Sequence, residues 1–249
     1  MAPLALITGG AVRIGKAIAL HLARRGFSIA LQYNRSGAEA DATTKAIAEA
    51  GGKAQYFKAD LGSHKEVLAL LPAVNQAMGP VACLINNASH FADDRLPALS
   101  EAEWERHMAI NLKAPVFLAQ AFAAQLPPSE IGNIINIVDQ RVLRPNPLFF
   151  SYGISKAALK AATVTMAQAL APRIRVNAVA PGPTLPNIYQ GEGEFEREKS
   201  ATLLGYGTTP REIAEAVEFI LSARAMTGQM IALDGGQHLL WKTPDIIVK

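Results

Sequence analysis

The chain has 249 residues, half of them hydrophobic and 18% charged, which excludes a disordered protein and supports one large apolar core. Lys and Arg total 24 against 21 Asp and Glu, and the surplus of three is scattered, so no nucleic-acid partner is expected. The single cysteine, Cys83, excludes an internal disulfide framework and a cysteine-built zinc site, and no metal is expected.

The first apolar run, residues 3–7, is too short and too poorly flanked for an export signal. The longest charge-free stretch, 67–92, is cut by Pro72, Gly79, Pro80, Asn86 and Asn87 and cannot span a membrane as a helix. A cytoplasmic protein without a membrane partner is expected. Residues 4–7 form a buried type of strand. Ile14, Ile18 and Leu22 then repeat at helical spacing up to Gly26. Strands are predicted at 27–32, 53–58, 81–86, 132–138, 174–178 and 229–233. Helices are predicted at 38–50, 65–78, 101–126 (with a break or kink at Pro115), 151–170 and 211–222. Seven strands alternating with helices predict a single α/β domain over 1–249: a Rossmann-like, doubly wound parallel sheet flanked by helices. Residues 183–209 are glycine-rich and charged, and are expected to form a substrate loop.

Between the first strand and helix lies Thr8-Gly-Gly-Ala-Val-Arg-Ile-Gly15. Glycine there lets the backbone approach a pyrophosphate, and the free N–H groups at the helix start favour its charge. Tyr152 and Lys156 share one face of a helix, where an ammonium would bring a phenol's pKa of about 10 toward the working range. Cys83, in an apolar strand, is expected to be inert core, and His90 a loop residue without a catalytic role. Trp241 and His238 leave two alternatives open, a subunit interface or a cap on the substrate pocket.

These segments resemble the short-chain dehydrogenase/reductase family. Thr8, Gly9 and Gly15 match its Thr-Gly-x-x-x-Gly-x-Gly turn, with Arg13 in place of a glycine. Asn86-Asn87-Ala88 matches its Asn-Asn-Ala-Gly with Ser89 in the glycine's place, and Asn111, Tyr152-x-x-x-Lys156 and Pro181-Gly182 follow in order. The resemblance implies a dinucleotide site drawing on Gly9, Ile14, Gly15, Asp60, Leu61, Asn87, Ala88, Ser89, Tyr152, Lys156, Pro181 and Gly182. It also implies catalysis by Tyr152 and Lys156, with Asn111 supporting Lys156 through a water, and a homotetramer. The second strand ends in Tyr33-Asn-Arg-Ser36, with no carboxylate to accept from the ribose hydroxyls. NADP(H) is therefore expected, with Arg13, Asn34, Arg35 and Ser36 around the 2′-phosphate.

Thirteen residues before Tyr152, where most of the family carries serine, stands Asp139. With Arg13, Tyr33-Asn-Arg-Ser36 and Asn86-Asn-Ala-Ser-His-Phe91, this looks like the pteridine reductase and dihydromonapterin reductase branch, with Asn34 as a departure. That likeness implies hydride transfer to a pterin ring, with Ser89, Phe91, Asp139 and Tyr152 against the substrate. Phe91 would stack on the pterin opposite the nicotinamide, and Asp139 would orient or recharge Tyr152. Two alternatives remain open: a carbonyl or 3-oxoacyl reductase of the same family, and a non-catalytic NADP-sensing protein, against which the intact Tyr152 and Lys156 speak.

Overall fold

The computed structural model describes residues 2–242. Seven strands form one sheet: β1 (Leu4–Ile7), β2 (Ser28–Tyr33), β3 (Ala54–Lys58), β4 (Val81–Asn86), β5 (Gly132–Ile137), β6 (Ile174–Pro181) and β7 (Met230–Leu233). Their order is β3-β2-β1-β4-β5-β6-β7 and every pairing is parallel. Parallel neighbours need crossovers, supplied by α1 (Arg13–Arg24), α2 (Gly37–Glu49), α3 (His64–Met78), α4 (Glu101–Met108), α5 (Ala114–Gln125), α6 (Phe150–Leu170), α7 (Glu194–Ser200) and α8 (Pro210–Ser222).

The strands alternate between two apolar layers. Leu4, Leu6, Leu84, Ile134 and Val176 pack on Val67, Leu71 and Val74 of α3 and on Leu118 and Phe122 of α5. Ala5, Ile7, Ile29, Leu31, Ile85, Ile135 and Val179 face Ile18 and Leu22 of α1, Ile47 of α2 and Ile213, Val217 and Ile220 of α8. Burial on both faces explains why these strands read as continuous apolar runs. Cys83 sits in the second layer at 1% exposure, and burial pushes its thiol up to about 12. Among the described residues, no helix is long and apolar enough to cross a membrane.

Three expectations need correction. The helix predicted over 101–126 is two helices joined by a π-helical turn at Ala109–Lys113. Pro115 has no N–H, so the carbonyl four residues earlier loses its helical donor, and the backbone widens just ahead of the proline. Strand β6 runs to Pro181, because Ala178–Pro181 pair with β7. Segment 183–209 is not all loop, since it contains α7. The sheet order reverses between β1 and β4, and the carboxyl ends of the strands around that point carry the loops that build the site.

Candidate active site

Every residue expected at the site except Asn111 lines one cleft of about 660 Å³. At its nucleotide end, Gly9 turns with φ +61°. A Cβ on Gly9 would lie 3.0 Å from the Ala88 Cα, and one on Gly15 only 2.2 Å from the Gly9 carbonyl oxygen. Side chains staple the turn from below. The Thr8 hydroxyl accepts from the Asn87 and Ala88 amides (2.9 and 3.0 Å), and the Asn87 amide group donates to the Thr8 and Gly9 carbonyls (2.9 and 3.1 Å). Gln32, buried on β2, accepts from the Gly9 N–H (2.8 Å) and donates to the Ala59 carbonyl (2.7 Å). Helix α1 then begins at an extended Val12 with no side-chain cap and no acid in its first turn. Its first N–H groups and dipole face the cleft uncompensated, which fits the phosphates of a dinucleotide.

Asn34, Arg35 and Ser36 follow β2 at this end, where the lining holds no carboxylate before Asp60. Arg35 is exposed and makes no ion pair among the described residues. Asp60 and Leu61 follow β3, and the Asp60 carboxylate accepts from the Gly62 N–H (2.9 Å). Arg13 lines the same cleft, with its side chain held by another loop. Its backbone has φ +53°, and its guanidinium donates to the carbonyls of Pro186 (3.0 Å) and Leu185 (3.4 Å), on the loop after β6.

At the other end Asp139 leaves β5 and Tyr152 rises from the first turn of α6. The Tyr152 hydroxyl donates to Asp139 Oδ2 at 2.7 Å. The other carboxylate oxygen accepts from the Arg141 N–H (2.8 Å), and the Arg141 guanidinium lies 3.7 Å from Oδ2. Lys156, 2% exposed, donates to the Ile137 carbonyl (2.9 Å). Burial lowers its pKa to about 8, against the opposing pull of Asp139.

The structure bears on three expected roles here. First, Lys156 does not bring Tyr152 toward neutrality. Burial, then the charge of Asp139 and its hydrogen bond, raise the phenol well above its ordinary value, and the lowering influence is Arg141. A carboxylate accepting from a phenol stabilises the protonated form, so the Tyr152 hydroxyl is held protonated. Second, the Asn111 side chain is held by the loop after β4 and by α6. It donates to the His90 carbonyl (2.9 Å) and Ser155 Oγ (3.0 Å), and accepts from the His90 N–H (2.8 Å) and Ser89 Oγ (3.3 Å). It therefore positions the loop after β4. Third, Phe91 is not free on both faces. It stacks on Phe149 (centroids 4.3 Å, 19°), meets Tyr152 edge-on (4.8 Å, 87°) and lies 6.0 Å from Tyr189.

Several site residues escape sequence reading. Phe149 holds a left-handed backbone at the start of α6 (φ 55°, ψ 52°), and the Arg141 guanidinium lies 5.2 Å from its ring and 5.7 Å from that of Phe91. Position is the only sequence signal for them: Phe149 lies three residues before Tyr152, and Arg141 two after Asp139. On the substrate-loop side, Glu198 of α7 lines the cleft and accepts from Gln190 (2.6 Å) and Gln237 (3.3 Å). His238 is tied to the buried Asp234 (2.6 Å), so it caps a turn and does not line the cleft, while Trp241 is 57% exposed. His90, Glu103 and His107 bring ligand-type atoms within 4.8 Å of one another, but His90 pairs with Glu103 (2.7 Å) and both His107 nitrogens are hydrogen-bonded.

Compared with known proteins, the sequence matches the short chain dehydrogenase family over residues 3–197. It is 49% identical to FolM alternative dihydrofolate reductase 1 of Brucella canis, crystallised with NADP, with a TM-score of 0.93 over 98% of this chain and 97% of that one. The Brucella suis counterpart, also with NADP, gives 49% identity and a TM-score of 0.95 over 99% and 98%. The chain is also 32% identical over 241 residues to the 3-oxoacyl-(acyl-carrier-protein) reductase FabG of Staphylococcus epidermidis, covering 94% of this chain and 98% of that protein.

Proposed function

The chain belongs to the short-chain dehydrogenase/reductase family, and on that premise we propose that it is an NADPH-dependent reductase of a pterin ring. The observation that carries this reading is the 2.7 Å hydrogen bond from Tyr152 to Asp139, where most of the family has serine. A carboxylate beside the acid can accept from the ring N–H and amino groups of a nitrogen heterocycle, which a plain ketone lacks. The Brucella FolM proteins share 49% of their residues with this chain, and their NADP complexes, with the exposed Arg35 after β2, support the cofactor.

When bound, NADPH supplies a hydride. The uncapped start of α1 and the glycine turn would hold its phosphates, and Arg35 with Asn34 and Ser36 would meet the 2′-phosphate. Hydride and proton add across a C=N bond of the pterin, the proton leaving Tyr152 Oη as the π bond breaks. Because burial and Asp139 raise the phenol's pKa, Tyr152 retains its proton until the ring nitrogen becomes basic. Arg141 then opposes the charge left on Oη, while Lys156, with its Nζ 5.9 Å from the phenol ring centre, would hold the nicotinamide ribose. Asp139 fixes the direction of the hydroxyl, and Asn111 fixes the loop bearing Ser89 and Phe91.

The test is steady-state NADPH oxidation with dihydrobiopterin, dihydromonapterin and a simple ketone. A kcat/KM for a pterin at least about tenfold above that for the ketone is expected, a margin worth about 1.4 kcal/mol of transition-state binding. Turnover of the ketone alone would overturn the pterin reading and favour a carbonyl or 3-oxoacyl reductase.

A further inference from the structure

Beneath the aromatic pair lie three buried polar side chains that the proton transfer does not use: Asp94, His107 and Ser151, at 6%, 0% and 0% exposure. The Ala92 N–H donates to His107 Nε2 (3.2 Å), so that nitrogen carries no proton and Nδ1 does. Nδ1 donates to Ser151 Oγ (2.7 Å), and the Ser151 hydroxyl donates to Asp94 Oδ2. The Asp94 carboxylate also accepts from the Ser151 N–H (3.1 and 3.2 Å), and its carbonyl accepts from the Phe150 N–H (3.1 Å). Asp94 thus caps α6 from a distant loop.

These bonds end on the residues that flank the two stacked rings. Phe91 lies between His90, whose N–H is held by Asn111, and Ala92, whose N–H is held by His107. Phe149 lies directly before the two α6 amides held by Asp94. Its left-handed backbone is sparsely populated for an aromatic residue and persists only where surroundings over-determine it.

We propose that Asp94, Ser151 and His107 form a buried clamp that sets the Phe91–Phe149 stack and thereby the shape of the substrate slot beside Tyr152. They are positioning residues, and their effect on substrate rests on the pterin reading above. Its side-chain hydrogen bonds reach the loop after β4 and the start of α6, and among the described residues none reaches the glycine turn or Arg35, so its effect is expected on the pterin rather than on NADPH.

Ser151→Ala removes the middle of the clamp and little volume. It is expected to raise KM for dihydrobiopterin about tenfold, with KM for NADPH within about twofold of wild type. Asp94→Asn, which keeps an acceptor, should raise it less than Asp94→Ala. Equal rises in both KM values, or no rise in either, would overturn the proposal. Amide hydrogen exchange gives a second arm that needs no turnover. The Ala92 amide should exchange at least about tenfold faster in Ser151→Ala, while Leu84 in β4 keeps its protection. Unchanged exchange at Ala92 overturns the clamp. If the wild-type protein reduces no pterin, the substrate reading fails by itself, and the exchange arm still decides the clamp.

Discussion

The two ends of the cleft are built from different materials. The nucleotide end is made of backbone: a glycine turn that tolerates no Cβ, the open N–H groups of α1 and one exposed arginine after β2. The chemical end is made of buried side chains that satisfy one another: Tyr152 with Asp139, Asn111 with His90 and Ser155, His107 with Ser151 and Asp94. A backbone cradle suits features shared by all dinucleotides, and on the proposed reading Arg35 and its neighbours would distinguish the phosphate. A side-chain cluster can change its chemistry with one substitution. On the proposed pterin reading, this difference would let a fold shared with FabG at 32% identity serve another substrate.

The contrast predicts separable damage. The largest effect is expected from Tyr152→Phe, which should lower pterin turnover about 10³-fold while leaving NADPH binding, followed by fluorescence, within about twofold. Gly15→Ala should do the reverse, because its Cβ would fall 2.2 Å from the Gly9 carbonyl oxygen. NADPH affinity should weaken about 100-fold in a binding titration, with a lower Tm, since the cradle must open. Arg35→Ala should be milder, reducing the preference for NADPH over NADH about tenfold in paired kcat/KM measurements.

The smallest effect is one of pH. Burial lowers Lys156 to about 8, so its charge, and the several-fold of rate that depends on it, should fade as pH rises through that value. Stability linked to the same residue runs the other way. Between about 8 and its ordinary value of 10.5 the unfolded chain binds the proton more tightly, so this lysine's contribution to stability rises with pH. A pH–rate profile with a parallel urea titration of wild type and Lys156→Met separates the two slopes.

The strands, their alternation with helices and the cofactor turn were legible because each is local. An apolar run of four to eight residues, a glycine pair and a helical repeat carry their meaning within one window. The π-helical turn at Ala109–Lys113 was not legible, because Pro115 marks a break without saying how the chain absorbs it. Asp139 and Tyr152 were found by their spacing, but the sign of the Tyr152 shift was not, since burial and the neighbouring carboxylate outweigh the lysine only once the fold closes. Arg13 has the charge for a phosphate, yet its geometry gives it to two loop carbonyls. The clamp joins positions 44 and 57 residues apart, and no local pattern announces it.

Asp139→Ser, assayed with dihydrobiopterin and in parallel by NADPH titration, tests the central claim most directly. If the carboxylate beside the phenol suits the site to a pterin, turnover should fall about 100-fold and NADPH affinity should stay within about twofold. A serine variant that reduces the pterin as fast as wild type would contradict the account.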